Sequence, residues 1–177
     1  LKIGVVTFEP MPKMYFNKKL KNFRISNLNQ KKFLIEKLGV DFIITQKFDK
    51  NFSKIKYFTF IQNILYKKMK PKFIFVSNNF RFGNKREGNV KKLIQYEKNF
   101  GYKIIKPRPL IFKNKIVSSS FIRKLLLKGN LNYTNKLLRR KWSIESVVQK
   151  GRQMGKKIGF PTCNLDVKNY VIPRLGV

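Results

Sequence analysis

The stretch YFTFIQNILYKKMKPKFIFV, residues 57–76, decides the fold class of this chain. Its first half repeats apolar residues at helical spacing, as at Ile61 and Leu65, and Pro71 ends that pattern. An unbroken apolar run follows at residues 73–76, and a run without polar alternation is typical of a parallel strand buried on both faces. A helix that leads directly into a buried strand predicts an α/β protein.

The same alternation extends in both directions along the chain. Predicted strands lie at residues 1–8, 40–45, 73–76 and 102–106, with two short β segments on either side of Lys113-Asn114. Helical patterns separate the longer strands, and two more helices follow at residues 118–128 and 131–138. Strands that alternate with helices predict right-handed βαβ units, and so a parallel sheet with flanking helices in a Rossmann-like, doubly wound arrangement.

The sequence pattern changes after Trp142, where the helical periodicity ends. Residues 143–149 are predicted to form a strand, and a loop with glycines at every fourth position follows it. We place a domain boundary near residue 141, with an α/β module at residues 1–140 and the beginning of an all-β module at residues 141–177. Because the chain starts with Leu inside a predicted strand and stops in apolar sequence, we expect it to be a fragment of a longer protein.

The charge balance raises the question of nucleic-acid binding. The 177 residues contain 41 Lys and Arg against 8 Asp and Glu, a formal charge of +33. Successive thirds of 59 residues carry 13, 15 and 13 basic residues, so no basic tail exists. The chain also lacks Ala and is rich in Lys, Asn, Ile and Phe, as AT-rich coding DNA would produce. We therefore predict weak, salt-sensitive binding to polyanions and no specific nucleic-acid partner.

Cysteine and histidine usage excludes several kinds of site. Cys163 is the single cysteine and His is absent, which excludes an internal disulfide framework, Cys/His zinc sites and His-based triads within this sequence. One free cysteine suits a reducing, cytoplasmic setting. No apolar run reaches the roughly 20 residues that span a bilayer, and no secretory leader is visible, so no membrane partner is predicted.

Two loops after predicted strands could hold a flat ring. In residues 8–12, Pro10 and Pro12 form a stiff turn beside an aromatic residue, although a plain turn would have the same sequence. In residues 77–83, Asn79 places an amide near a strand end, where it could read a base edge or hold a phosphate. The alternative for this second loop is an Asx-turn whose two phenylalanines fill core space.

Two further stretches suit phosphate. Ser118, Ser119 and Ser120 stand at a predicted helix N-terminus with Arg123 three residues on, which gives either an anion site or a serine N-cap with a solvated Arg. Near the end of the chain, glycines that allow close approach to phosphate precede hydroxyl and amide oxygens suited to Mg²⁺. These residues are Gly151, Gly155, Gly159, Thr162 and Asn164. Their alternative is a β-hairpin connection.

Taken in order, these segments resemble one family. VVTFEPMP (5–12), RISNLNQKKFLIEKLGVDFII (24–44), NNFRFG (78–83), VSSSFIR (117–123) and GFPTCNL (159–165) are similar in sequence and spacing to bacterial bifunctional riboflavin kinase/FMN adenylyltransferases, the FAD synthetases. The resemblance implies that ATP phosphorylates riboflavin to FMN in a C-terminal β-barrel. It also implies that ATP adenylates FMN to FAD in an N-terminal Rossmann-like nucleotidyltransferase module.

The resemblance also implies roles for individual residues. Pro10, Pro12, Ile55 and Asn79 would contact the flavin, and Ser119, Ser120 and Arg123 would bind ATP phosphates in the adenylyltransferase module. Gly151, Gly155, Gly159, Thr162 and Asn164 would bind ATP in the kinase module, with Thr162 and Asn164 holding Mg²⁺. No residue of the chain is assigned a catalytic role, and homo-oligomer formation is left open.

The sequence departs from the family pattern in ways that bear on activity. Ser77 and Met11 replace the usual Gly and His of their motifs, and Ser118 to Ser120 replace the usual SST. The GxFDGxHxGH segment and the rest of the kinase barrel are absent from the 177 residues, so we expect this chain by itself to be inactive in both reactions. Alternatives are an enzyme with only adenylyltransferase activity, a basic RNA-binding protein, and a pseudoenzyme relic.

Overall fold

A computed structural model describes residues 1–151 and 157–174 of the chain. The chain divides into two compact units. Unit 1 comprises Leu1–Gln46 and Phe112–Val177, and unit 2 comprises Lys47–Ile111. Residues on both sides of the predicted boundary at 141 therefore belong to the same unit.

Short helices and strands alternate through both units. The strands are β1 Gly4–Glu9, β2 Phe42–Lys47, β3 Phe73–Phe75, β4 Arg81–Phe82, β5 Gly88–Asn89, β6 Lys103–Ile105, β7 Ile111–Phe112, β8 Lys115–Ile116, β9 Val148–Gln149 and β10 Asn164–Leu165. The helices are α1 Pro12–Phe16, α2 Leu28–Glu36, α3 Lys50–Ser53, α4 Tyr57–Thr59, α5 Val90–Gln95, α6 Glu97–Phe100, α7 Ser119–Leu127 and α8 Leu131–Leu138, with a π-helix at Phe60–Met69 and a 3₁₀-helix at Asn84–Arg86. Within the described ranges, no helix is both long and apolar enough to cross a bilayer.

The strands pair in twos. β3 and β6 run parallel, with Ile74 opposite Ile104, and α5 and α6 lie between them in the sequence. This pair is the βαβ arrangement predicted from the sequence. β1 pairs with β2, β4 with β5, β7 with β8 and β9 with β10, so the described strands form five two-stranded sheets instead of one continuous sheet. The predicted α/β fold class is therefore confirmed, although the described strands do not form the predicted continuous sheet.

Unit 2 has an apolar core formed by its helices and the β3–β6 pair. Its buried members are Ile61, Leu65, Phe82, Val90, Leu93, Tyr102 and Ile104. Ile74 packs against this core, whereas Phe73 and Phe75 on the opposite face of β3 are 49% and 65% exposed. The prediction that residues 73–76 are buried on both faces is therefore wrong, because the core covers only one face of this strand.

Unit 1 has its apolar core on α7 and α8. Ile122, Leu125 and Leu126 of α7 pack with Leu137 of α8 and with Val171. The side chain of Ser118 caps α7 by accepting a hydrogen bond from the Phe121 N–H at 3.2 Å, and α8 starts from a similar Asn130 cap. Both helices lie where the sequence predicts them, because apolar spacing, cap and stop signals agree.

A buried polar network joins three distant parts of unit 1. Gln30 is 3% exposed, and its Oε1 accepts hydrogen bonds from the Tyr170 hydroxyl at 2.6 Å and the Asn27 N–H at 3.0 Å. Its Nε2 donates to the Ser143 carbonyl at 3.1 Å, and the Glu145 N–H donates to the Tyr170 hydroxyl at 3.3 Å. Ser143 and Glu145, which make these contacts, lie at the start of residues 143–149, the segment that the sequence predicts to be a strand. That prediction is wrong in extent, since only Val148–Gln149 forms a strand.

Candidate functional site

The double-proline turn follows β1 in unit 1. The Glu9–Pro10 peptide bond is cis, Pro10 is exposed, and Pro12 occupies the first turn of α1. A proline at this position costs the helix no hydrogen bond, because the first N–H groups of a helix have no intrahelical partner. Pro10 in this turn is open to solvent, and the stiffness of the turn stays a prediction.

A charged cluster that the sequence analysis missed lies beside this turn. Both terminal guanidinium nitrogens of Arg24 donate to the carboxylate of Glu9, one of them at 3.0 Å. The ammonium of Lys31 donates to the Thr7 hydroxyl at 2.7 Å. Burial lowers the pKa of Lys31, and Arg24 lowers it further, while Glu9 opposes the shift. With two cations against one carboxylate, the end of β1 has a net positive charge.

Sequence signals for this cluster existed but were weak. Glu9 is one of only 8 acidic residues, and it stands directly before Pro10. Arg24 and Lys31 lie within the motif at residues 24–44 but are far from Glu9 in the sequence. Only the folded chain brings them to the same place, so spacing could not reveal the pairing.

The serine-rich helix start has the predicted cap and an unexpected arginine. Ser118 is the N-cap of α7, while Ser119 and Ser120 are exposed in its first turn. Arg123 is half-buried, its Nε donates to the Phe23 carbonyl at 2.7 Å, and its guanidinium stacks 3.6 Å from the centre of the Phe23 ring. Burial lowers the pKa of Arg123. The alternative of a solvated Arg is therefore wrong, whereas the serine cap is confirmed.

The polar loop of unit 2 has mixed roles. Asn79 is exposed, and its Oδ1 accepts a hydrogen bond from the Ser77 hydroxyl at 2.9 Å. Phe82 is buried in the core, and Phe80 stacks on it with ring centres 5.6 Å apart. The phenylalanines thus fill core space, as the structural alternative predicts, and Asn79 is left on the surface of the turn.

The backbone of Ile55 is hydrogen-bonded to the end of the same loop. Its carbonyl accepts a hydrogen bond from the Asn84 N–H at 2.7 Å, directly after Gly83. Gly83 has a φ of +74°, and a Cβ there would lie 2.8 Å from the backbone nitrogen of Tyr57, so only glycine fits. Within unit 2, the structure therefore connects Ile55 to the loop that contains Asn79.

The predicted kinase residues lie around the β9–β10 pair. Asn164 is opposite Gln149 in this antiparallel pair, and its side-chain amide lies where a Cβ on Gly151 would be. Gly159 has a φ of +84°, and Thr162 is exposed. Gly155 lies outside the described residues. Gly151 and Gly159 thus both lie between two paired strands in the sequence, which is consistent with the hairpin alternative.

The predicted site residues fall into separate groups. Pro10 and Pro12 belong to unit 1, as do the α7 residues and the β9–β10 residues, whereas Ile55 and Asn79 belong to unit 2. Among residues 1–151 and 157–174, no cluster of three or more Cys, Asp or Glu side chains could hold a metal ion.

Comparison with protein families gives two matches in order along the chain. Residues 1–121 match the FAD synthetase family model, and residues 138–177 match the riboflavin kinase family model. The first match alone covers more than half of the 177 residues. The two matches follow the order in which the sequence predicts an adenylyltransferase part and a kinase part.

Several curated relatives have both activities in their names. A bifunctional riboflavin kinase/FMN adenylyltransferase from Buchnera aphidicola subsp. Schizaphis graminum is 36% identical over 98% of this chain and 56% of its own length. The proteins of that name from Haemophilus influenzae and Escherichia coli K12 are 33% and 31% identical over the whole chain, which covers 58% and 56% of their lengths. The chain thus spans about half the length of the curated relatives it matches.

Among solved structures, a chain described as a macrolide-efflux protein from Streptococcus pneumoniae is similar to this one. The two have a TM-score of 0.76 and 25% sequence identity, over 98% of this chain and 56% of that one. The fold is therefore shared along nearly the whole length described here.

Proposed function

Since the chain belongs to the FAD synthetase family, we propose that it is part of an enzyme that makes FAD from riboflavin in two steps. The terminal phosphate of ATP is transferred to riboflavin to give FMN and ADP, and an adenylyl group from a second ATP is transferred to the phosphate of FMN to give FAD and pyrophosphate. The observation that carries this proposal is the pair of family matches on one chain, in the order of the bifunctional relatives.

We assign the two steps to the two predicted modules. Residues 1–140 constitute the Rossmann-like FMN adenylyltransferase part, and residues 141–177 begin the riboflavin kinase barrel. The parallel β3–β6 pair and the antiparallel β9–β10 pair support this assignment. A reducing cytoplasm suits the free, exposed Cys163.

In the adenylyltransferase part, the turn after β1 would contact FMN. Pro10 and Pro12 would support the flat flavin ring. Arg24 and Lys31 give the neighbouring surface a net positive charge, which suits the phosphate of FMN. Riboflavin lacks this phosphate, so the cluster would favour FMN over its precursor.

The phosphates of ATP would bind at the start of α7. Ser119 and Ser120 lie in its first turn, where backbone N–H groups are free to bind an anion. Arg123 is fixed against Phe23, and this contact uses only its Nε–H among five N–H donors. Adenylyl transfer depends more on such positioning and charge neutralisation than on a protein nucleophile.

In the kinase part, Gly151, Gly155 and Gly159 would approach the phosphates of ATP. Thr162 and Asn164 are exposed and offer a hydroxyl and an amide oxygen, which are donors that Mg²⁺ accepts together with water and phosphate. When bound, Mg²⁺ would neutralise phosphate charge during transfer. The contact between Asn164 and Gly151 supports a common site.

The test is a product analysis on the complete protein. Riboflavin and MgATP are added, and riboflavin, FMN and FAD are separated by chromatography. We expect FMN first and FAD after it. FAD formation from supplied FMN without FMN formation from riboflavin would reveal an enzyme with adenylyltransferase activity alone, and neither product would indicate a relic.

Two substitutions test which residues contribute to which of the two reactions. Arg123→Gln should slow FAD formation about tenfold or more and leave FMN formation unchanged, because it removes a charge that stabilises the transferred phosphate. Its control is Lys124→Gln, an exposed neighbour on the same helix.

Asn164→Ala should slow FMN formation. The control is Gln149→Ala, because Gln149 is the partner of Asn164 across the strand pair. Equal effects on both steps would contradict the assignment.

A further inference from the structure

An open groove on unit 2 lies apart from every residue assigned above. It has a volume of about 540 Å³ and is lined by Tyr66, Lys67, Lys70, Pro71, Lys72, Phe100 and Gly101. Its size falls within the range of ligand pockets, which is about 300–1,000 Å³. None of these described lining residues is acidic, so the groove combines aromatic rings with three positive charges.

The rings of the groove continue into a larger cluster, which we call the aromatic strip: Phe58, Tyr66, Tyr96 and Phe100. The centre of the Phe100 ring lies 5.0 Å from that of Tyr66, 5.9 Å from that of Tyr96 and 6.3 Å from that of Phe58. Tyr66 and Phe58 are 46% and 39% exposed. Several rings in mutual contact thus remain partly open to solvent, unlike the buried rings of the core.

The charge along the strip is almost entirely positive. Lys67, Lys70 and Lys72 are exposed at the groove. Two acids lie near the strip and are hydrogen-bonded to backbone. The Oε1 of Glu97 accepts from the Ile104 N–H at 2.7 Å and its Oε2 lies 3.7 Å from the ammonium of Lys103. The Oε1 of Glu87 accepts from the Tyr57 N–H at 2.8 Å. An anion in the groove would therefore meet three lysines and no acidic lining residue.

From these contacts we infer that unit 2 binds single-stranded nucleic acid, with bases stacked on the aromatic strip and phosphates held by the groove lysines. Exposed rings beside a positive groove are how proteins bind single strands without sequence preference. This differs from diffuse attraction to a chain of charge +33, because it places the bases at one location. It goes beyond the weak, diffuse binding to polyanions that the sequence predicts, because it gives a single-stranded partner one defined site.

A role in stability is the main alternative for the lysines. Lys67 lies in the last turn of the π-helix, and cations there interact favourably with the helix dipole. This explanation does not extend to the ring of Tyr66, which is exposed. Removing that ring therefore separates the two explanations.

The test uses the 177-residue chain and a fluorescent oligouridylate of about 12 nucleotides, within the range of single-strand site sizes. Binding is followed by fluorescence anisotropy at about 0.15 M salt, where surface charges are partly screened. Tyr66→Leu should weaken binding about fivefold or more, the loss of one stacked base. Phe33→Leu is the matched control, because Phe33 is a 53% exposed ring beside Lys37 in unit 1. Equal loss in both variants would overturn the proposal.

The lysines are tested by the salt dependence of binding. Replacing Lys67 and Lys72 by Gln should lower the slope of log affinity against log salt by about 1.4, since each phosphate contact to a single strand contributes about 0.7. The control replaces exposed Lys18 and Lys19 by Gln, which removes the same charge. The same slope in both double variants would contradict a localised site.

Two measurements on the unsubstituted chain keep the proposal testable if a variant unfolds. Crosslinking with an oligonucleotide containing 4-thiouridine should map to peptides within residues 58–72 or 96–103. Crosslinks spread over both units would overturn the inference. Uridine monophosphate, at equal nucleotide concentration, should compete much less well than the oligomer, and equal competition would indicate a mononucleotide pocket instead.

Discussion

Unit 2 buries Ile61 and Leu93 completely in an apolar core, whereas unit 1 buries, besides its leucines, the amide of Gln30 and the hydroxyl of Tyr170. Apolar contacts are weakly directional, so a core of that kind tolerates changes of shape that conserve volume. Hydrogen bonds between buried polar groups are directional, and a lost partner leaves a group that is costly to bury. The difference implies that the two units respond differently to substitutions of similar size.

The largest effects should come from removing buried leucine side chains in either unit. Leu93→Ala in unit 2 and Leu126→Ala in unit 1 should each lower the free energy of unfolding by about 2–5 kcal/mol, because both side chains are fully buried. Urea denaturation measures the change. Leu127→Ala, at a neighbouring position that is 59% exposed, is the control and should change stability by less than about 1 kcal/mol.

The network of unit 1 should be sensitive to a change that conserves size. Gln30→Leu should lower the free energy of unfolding by about 2–3 kcal/mol, because the Ser143 carbonyl loses its hydrogen bond and the Tyr170 hydroxyl loses one of its two acceptors. Gln95→Leu, on an exposed position of α5, should be close to neutral. Equal stability of the two variants in urea would show that the network contributes nothing.

The same substitution in both units gives a direct comparison. Tyr170→Phe removes a hydroxyl that contacts both Gln30 and Glu145, and it should cost about 1–2 kcal/mol. Tyr102→Phe removes a single hydrogen bond to the Leu93 carbonyl, 2.8 Å long, and should cost about 1 kcal/mol. Thermal unfolding of both variants shows which substitution lowers the stability more. A larger loss for Tyr102→Phe would reverse the comparison.

The last expected effect is a pH dependence that arises from Tyr102 in unit 2. Burial raises the pKa of Tyr102 to about 12 from its ordinary value of 10.0, with Glu97 and Tyr96 adding to the shift. Because the folded-state pKa is higher, the neutral phenol stabilises the fold fully below about pH 10, and this contribution is lost as the pH rises toward 12. The stability difference between the parent chain and Tyr102→Phe should therefore shrink over that interval in urea titrations. A constant difference would contradict the shift.

Helix α8 lies at Leu131–Leu138, as predicted, and α7 begins and ends close to its predicted bounds. Cap residues, apolar spacing and glycine stops are local signals that agree there. The exposed faces of β3 were not predictable in this way, because a strand's burial depends on what covers each face. Local sequence also predicts the cap at Ser118 but not the contact of Arg123 with Phe23, 100 positions away.

By itself, the sequence determined the family, the order of the two family matches, and most helices of the described residues, because motifs and periodicity are properties of neighbouring residues. Tertiary structure alone decided that Glu9 pairs with Arg24, that Gln30 joins Ser143 and Tyr170, and that the rings of Tyr66 and Phe100 meet beside the groove lysines. These contacts join residues far apart in the chain. Their partners are selected by the geometry of the fold, which no local pattern specifies.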